Sequence, residues 1–210
     1  MNERIVIKIG GATLFQPSGF EEDLRALLKQ NQNAQVWMLA GGGDLVEAMR
    51  SAHRHYPKLG MEEMHWRCIE LLDHTWAVAK EVFPANHSVY DRSDLVRVLQ
   101  MGSVPGTSWV RIQSFYSQFD CDLISEKWLP KMDWSTTTDT LAWLLGKVVN
   151  ADRVILMKQC ECDATWSLAE AAHRGIIDTE LAQLAGHDSV DCPKVELMAV
   201  ASLKTIETDF

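Results

Sequence analysis

The sequence predicts an α/β protein, a three-layer α/β/α sandwich with a mainly parallel central sheet. Two observations carry this. Short β-branched apolar runs alternate with longer stretches of helical periodicity, and two of those runs end directly on glycine clusters that pass into helical segments. The composition agrees, because 210 residues with 47% hydrophobic and 23% charged side chains are globular in balance and exclude disordered and collagen-like classes. The length fits one domain spanning residues 1–210.

The elements follow in order. Arg4 to Ile9 is apolar and β-branched and meets Gly10-Gly11, the signature of a buried strand ending in a tight loop. Glu21 to Lys29 places Leu24, Leu27 and Leu28 on one helical face. Val36 to Ala40 is a second buried strand, running into Gly41-Gly42-Gly43 and a helix over Asp44 to His55. Glu62 to Val82 is a long helix with more large apolar residues than one face requires, which suits packing between layers or across a homodimer. Val89 to Leu99 and Trp109 to Ile112 carry weaker patterns on either side of the Gly102–Gly106 loop. Thr137 to Val149 is helical, Arg153 to Met157 is a third buried strand, and Lys194 to Leu203 predicts a last helix, followed by a short strand within Lys204–Phe210.

Net charge narrows the partners. With 20 Lys+Arg against 29 Asp+Glu the formal charge is −9, the wrong sign for a general nucleic-acid or anionic-membrane binder. A small anion can still be held by a local set of lysines and backbone N–H groups. Five cysteines, an odd number in a chain this long, suit reduced thiols and a cytoplasmic setting. The N-terminal residues carry no signal-peptide pattern, and no apolar run reaches membrane-spanning length.

The residues with chemical potential cluster at the strand ends. In a parallel sheet Gly10, Gly11, Gly41, Gly42 and Gly43 share the carboxyl edge, where open α/β sheets bind ligands. Glycine lets a backbone approach an anion without a Cβ, and N–H groups at a helix start favour negative charge; two tight turns would account for the same glycines. Lys8, one residue before the end of its strand, aims a cation at that crevice, or else snorkels from a strand edge. Asp139 opens a helix, where a carboxylate also serves as cap or dipole partner. Neither a Gly-x-x-x-x-Gly-Lys-Ser/Thr loop nor a Gly-x-Gly-x-x-Gly fingerprint is present, which argues against P-loop and ordinary dinucleotide chemistry.

Taken together, Lys8-Ile9-Gly10-Gly11, Leu39-Ala40-Gly41-Gly42-Gly43, Thr138-Asp139-Thr140-Leu141-Ala142 and Cys192-Pro193-Lys194-Val195-Glu196 resemble, in order, the motifs of the amino acid kinase family. The resemblance implies the carbamate kinase-like fold and a phosphotransferase using ATP and Mg2+, with the metal carried by the nucleotide and a small anionic acceptor. It further implies that Lys8 and Lys194 place positive charge on the transferred phosphoryl group from two sides. Asp139 would hold both ammonium groups, and the glycines would donate N–H groups to phosphates. The segment Trp128 to Asp139 is similar to a run in the small archaeal-type kinases that phosphorylate an aminomethylfuran phosphate in methanofuran biosynthesis.

One departure stands against this. After the third strand the family has an Asp-Gly pair beside the nucleotide, whereas this chain has Lys158-Gln159-Cys160-Glu161-Cys162-Asp163. Lys158, Glu161 and Asp163 are the candidate nucleotide contacts there, and the altered loop keeps a second reading open, a non-catalytic nucleotide- or anion-binding relative. Cys160 and Cys162 lack a partner pair for a metal. His53 and His55 lie at i, i+2 on different helix faces and make no metal pair. His87, Tyr90, Asp91 and Arg92 read as a solvated loop, in the region where the family varies its acceptor pocket.

Overall fold

The computed structural model describes residues 2–15, 20–163, 165–187 and 192–200. In chain order the elements are β1 (Arg4–Ile9), α1 (Gly11–Phe15), α2 (Phe20–Gln30), β2 (Gln35–Ala40), α3 (Gly43–His55) and α4 (Met61–Val82). Then come β3 (His87–Val89), α5 (Arg92–Gln100), β4 (Gly106–Val110), α6 (Thr138–Val148), β5 (Arg153–Lys158), α7 (Leu168–His173), α8 (Thr179–His187) and β6 (Lys194–Ala199). The six strands form one sheet in the order β3-β4-β2-β1-β5-β6, and every neighbouring pair is parallel. The mainly parallel sheet expected from the sequence is wholly parallel among the described strands.

Period-two alternation sorts the strands onto two cores. Val6, Trp37, Leu39, Val154 and Leu156 pack on one face with α6 and with Trp66, Ile69 and Leu72 of α4. Ile5, Ile7, Ile9, Met38, Ile155 and Met157 pack on the other with Phe20, Leu24 and Leu27 of α2. The excess apolar surface of α4 is used within the chain, since its far half contributes Trp76 and Ala79 to the second core. Every residue of α6 from Asp139 to Lys147 is buried. That all-round burial makes α6 the central helix of its layer.

One expectation is corrected. The helix expected from Lys194 gives way over its described part: Lys194–Ala199 is strand β6, running parallel to β5 with Lys194 opposite Arg153 and Ala199 opposite Lys158, and residues 201–203 lie outside the described residues. Glu, Leu, Met and Ala favour helix locally, but pairing with an open sheet edge outweighs propensities of a few tenths of a kcal/mol per residue. The weak patterns at Val89 to Leu99 and Trp109 to Ile112, given no element type by the sequence, resolve into β3, α5 and β4, with β4 at Gly106–Val110 and a 3-10 turn at Ile112–Ser114. The terminal strand expected within Lys204–Phe210 lies outside the described residues. None of the described cysteines forms a disulfide. Among the described residues no helix is long and apolar enough to cross a membrane.

Candidate functional site

Because all strands run the same way, Ile9, Ala40 and Lys158 come to the same edge of the sheet. Strand parity then decides which side chains meet. Lys8 follows Val6 by two residues and Lys158 follows Leu156 by two, so both lysines project from the face that α6 covers. The first turn of α6 presents Asp139 to them, almost fully buried. Its Oδ1 lies 3.0 Å from Lys8 Nζ, and Lys158 Nζ donates to its Oδ2 at 2.5 Å. One carboxylate therefore sits between two ammonium groups.

The electrostatics follow from this packing. Burial pushes the Asp139 carboxyl up, but the charges and hydrogen bonds of Lys8 and Lys158 prevail and hold it below the ordinary carboxylate range. Burial, with the neighbouring Lys8 charge, pushes the Lys158 ammonium below its usual value despite Asp139. Within this trio two cations face one anion, while Asp178, Asp133 and the Glu47–Arg50 pair line the same cavity.

The glycine turns lie against this cluster. Gly41 N–H donates to the Ile9 carbonyl at 2.8 Å, tying the second turn to the end of β1. A Cβ at Gly11 would be driven into the Gly43 backbone, and one at Gly41 would stand 2.8 Å from Gly11 N. Gly43 has φ +51°, a left-handed conformation that opens α3 and favours glycine. The two turns are thus packed backbone on backbone, which two independent tight turns would not require. The N-terminus of α3 opens beside them, where N–H groups favour an anion.

Lys8, Lys158, Asp139, Gly11, Gly42 and Gly43 line one open cleft of about 500 Å³, whose other walls come from α3, α4, the 133–138 loop and residues 175–179. Its framework is held by Asp178, a residue that no motif in the sequence singles out. Asp178 Oδ2 accepts from Thr137 N, Thr137 Oγ1 and Thr140 N at 3.0, 2.6 and 3.1 Å, while Oδ1 accepts from Thr140 Oγ1 and Leu181 N at 2.5 and 2.7 Å. It caps α8 and α6 together. Its position before Thr179-Glu180-Leu181 is a capping signal for α8, but nothing local reveals the reach to α6. Burial and the nearby Asp139 charge raise its carboxyl above the ordinary range, against the pull of these donors. We expect Asp178→Ala to strand these donors and cost about 3 kcal/mol. In thermal unfolding that is a fall in Tm of roughly 6–12 °C.

No protein-family model and no curated protein matches the sequence. Among solved structures the chain is similar to a uridylate kinase from Archaeoglobus fulgidus, with a TM-score of 0.59 over 94% of this chain and 91% of that one, at 16% sequence identity. The chain has the amino acid kinase fold. At that identity the likeness speaks to architecture, and the site must be argued from its own residues.

Within the amino acid kinase fold, the candidate residues separate into those brought together and those kept apart. Lys8, Asp139, Gly11, Gly42 and Gly43 line the cavity, as does Lys158, expected as a nucleotide contact and found on Asp139. Gly10 and Gly41 stand immediately beside it in the same turns. Lys194 is elsewhere. It begins β6 at the far end of the sheet from Lys158, five residues or about 16 Å of strand away. Its side chain is 75% exposed, and its ammonium pairs with Glu196 at 2.9 Å. The second lysine on Asp139 is therefore Lys158 and not Lys194, because a strand start faces the opposite edge from a strand end. Glu161 and Asp163 line a separate open hollow with Cys162, Trp166 and Ala199. There Asp163 accepts from Thr165 N and Oγ1 at 2.8 and 2.7 Å, so the loop closes on an Asp–Thr turn.

Proposed function

We propose that this protein is an ATP-dependent phosphotransferase that passes a γ-phosphoryl group to an acceptor already carrying an ionised phosphate or carboxylate. The observation that carries the reading is Lys8–Asp139–Lys158 set against the paired glycine turns in one cavity. In-line transfer asks chiefly for positioning and for positive charge on the oxygens of the moving group. Lys8 and Lys158 supply that charge from strands β1 and β5, and Asp139 holds both ammonium groups in place. The turns and the start of α3 offer N–H groups to phosphate oxygens. Mg2+ would arrive on the nucleotide's own phosphates, neutralising charge there.

The acceptor class is argued from the bases. The four carboxylates lining the cavity are committed, Asp139 to two lysines, Asp178 to five donors, Glu47 to Arg50 and Arg54 and Asp133 to Ser135, and the His65 Nε2 lies 2.9 Å from the Tyr116 hydroxyl. A hydroxyl acceptor would need a base to take its proton, whereas a phosphate or carboxylate is ionised already. The aminomethylfuran phosphate suggested by the Trp128 to Asp139 run is the first acceptor to try. The exposed Met61, Val78 and Val82 of α4 are the residues on which a homodimer would form.

The test is ADP release from MgATP over a panel of phosphate and carboxylate acceptors, with nucleotide affinity measured separately. Turnover that depends on one acceptor supports the reading. Nucleotide binding without turnover on any acceptor would favour the second reading, a non-catalytic relative, which the closed Asp163–Thr165 turn of the altered loop supports. Two variants separate the lysines: Lys158→Met is expected to cut turnover ~10²–10³-fold. Lys194→Ala, an exposed change, should stay within about 0.5 kcal/mol of wild type in stability and leave turnover intact.

A further inference from the structure

The loop over 131–137 walls the cavity and is anchored at both ends toward α8, with Lys131 N donating to Glu180 Oε1 at 3.1 Å and Thr137 Oγ1 to Asp178. Toward α3 it is tied by the Trp134 side chain. Trp134 Nε1 donates to His53 Nδ1 at 2.8 Å, and the Arg50 guanidinium lies over the Trp134 ring at 5.1 Å. Arg50 and Trp134 both line the cavity, and the buried Arg50 Nε has no hydrogen bond beyond its loose ion pair with Glu47 Oε2 at 3.4 Å.

The pairing fixes the state of the imidazole. His53 Nε2 lies 3.0 Å from the Leu59 carbonyl, which can only accept, so Nε2 carries the proton. An indole N–H can only donate, so Nδ1 must be bare. Only the neutral Nε2–H tautomer satisfies both contacts. A protonated ring would set N–H against N–H. Histidine is the side chain that ordinarily changes charge between about pH 5 and 8.

We infer that His53 is a positioning residue that latches Trp134, and with it Arg50, onto the cavity wall while neutral and releases them when protonated. The inference is independent of the phosphoryl-transfer reading, since it concerns the wall and not the reaction. It also gives a role to a histidine that forms no metal pair with His55. The charged and titratable groups on the elements around the latch are Asp44, Glu47, Arg50, Arg54 and His55 on α3, Tyr56 and Lys58 after it, Lys131 and Asp133 in the loop, and Glu62, Glu63, His65 and Arg67 on the first two turns of α4. None of these takes the place of the Nδ1 acceptor: Glu47 pairs with Arg50 and Arg54, and Asp133 accepts from Ser135 N and Oγ at 2.7 and 2.5 Å.

The test is nuclear magnetic resonance of the indole N–H groups of the full chain, with the Trp134 signal assigned by its loss in Trp134→Phe. In the wild type the Trp134 signal should move between pH 8 and pH 5 with the same midpoint as the His53 ring carbons. His53→Gln keeps an acceptor and removes the titration, so its Trp134 signal should hold near the pH 8 position throughout. His53→Leu at pH 8 should resemble the wild type at pH 5. A wild-type signal that stays fixed across this range overturns the latch, as does one that moves equally in His53→Gln; these two outcomes suffice if His53→Leu fails to fold.

Discussion

Asp139→Asn is expected to destabilise the protein and to abolish most of the proposed phosphoryl transfer. The amide keeps the shape but removes the charge between two buried ammonium groups. Breaking a buried pair by neutralising one partner typically costs about 3–5 kcal/mol, because the remaining charge stays desolvated. Losing the group that aims both lysines should lower turnover by ~10²–10³-fold. Combining Asp139→Asn with Lys158→Met should recover part of the stability in denaturant titration, since only Lys8 is then left buried and unpaired, without recovering turnover. A double variant that regained turnover would show that the cluster is structural only.

The same carboxylate sets an acid limit. Its folded value lies below the ordinary carboxylate value of about 3.9, so its stabilisation is complete above that pH and fades as pH falls through the folded value. The wild type should therefore lose stability on acidification below about pH 4 through this group. In Asp139→Asn that contribution is absent, and the acid limb of the stability profile should be shallower. Parallel Tm measurements from pH 7 to pH 2.5 check the sign.

Gly11→Ala is the second large effect. A methyl group there meets the backbone of Gly42 and Gly43, which has no rotamer to adopt, so the paired turns must separate. Overpacking of this kind costs about 1–3 kcal/mol, and the N–H groups offered to phosphates move with the turns. Its neighbour supplies the control. At Gly10 a methyl would stand 3.1 Å from Thr13 Oγ1 and 3.5 Å from the Met157 carbonyl, where a hydroxyl rotation gives room. Gly10→Ala should cost under about 1 kcal/mol and keep nucleotide affinity, while Gly11→Ala should lose it. Equal affinities in the two variants would remove the turns from the binding reading.

Much of the architecture is legible in the chain's local patterns. β1, β2 and β5 are marked by short apolar runs ending on glycine or polar residues, and α3, α4 and α6 by their periodicity. Lys8, Asp139 and the glycines stand out because a lysine near the end of an apolar strand and consecutive glycines after it are costly unless used. β6 reads locally as a helix because Glu196, Leu197, Met198 and Ala199 are good helix formers, and only the open edge of β5 makes them a strand. The helices α7 and α8 are too short for their periodicity to register.

The sequence is enough for the fold class and the end of the sheet where chemistry would sit, since both follow from local periodicity and from the parallel order of strand, turn and helix. Which lysine faces Lys8 across Asp139 is a matter of tertiary structure. That pairing depends on the register of β5 beside β1, which places Lys158 at the carboxyl edge, and on the direction of β6, which carries Lys194 to the other. The same holds for Asp178 beneath α6 and His53 against Trp134, 41 and 81 residues apart in the chain. Spacing along a chain encodes which face a side chain takes, but the identity of its partner across the fold is set only when the strands are docked.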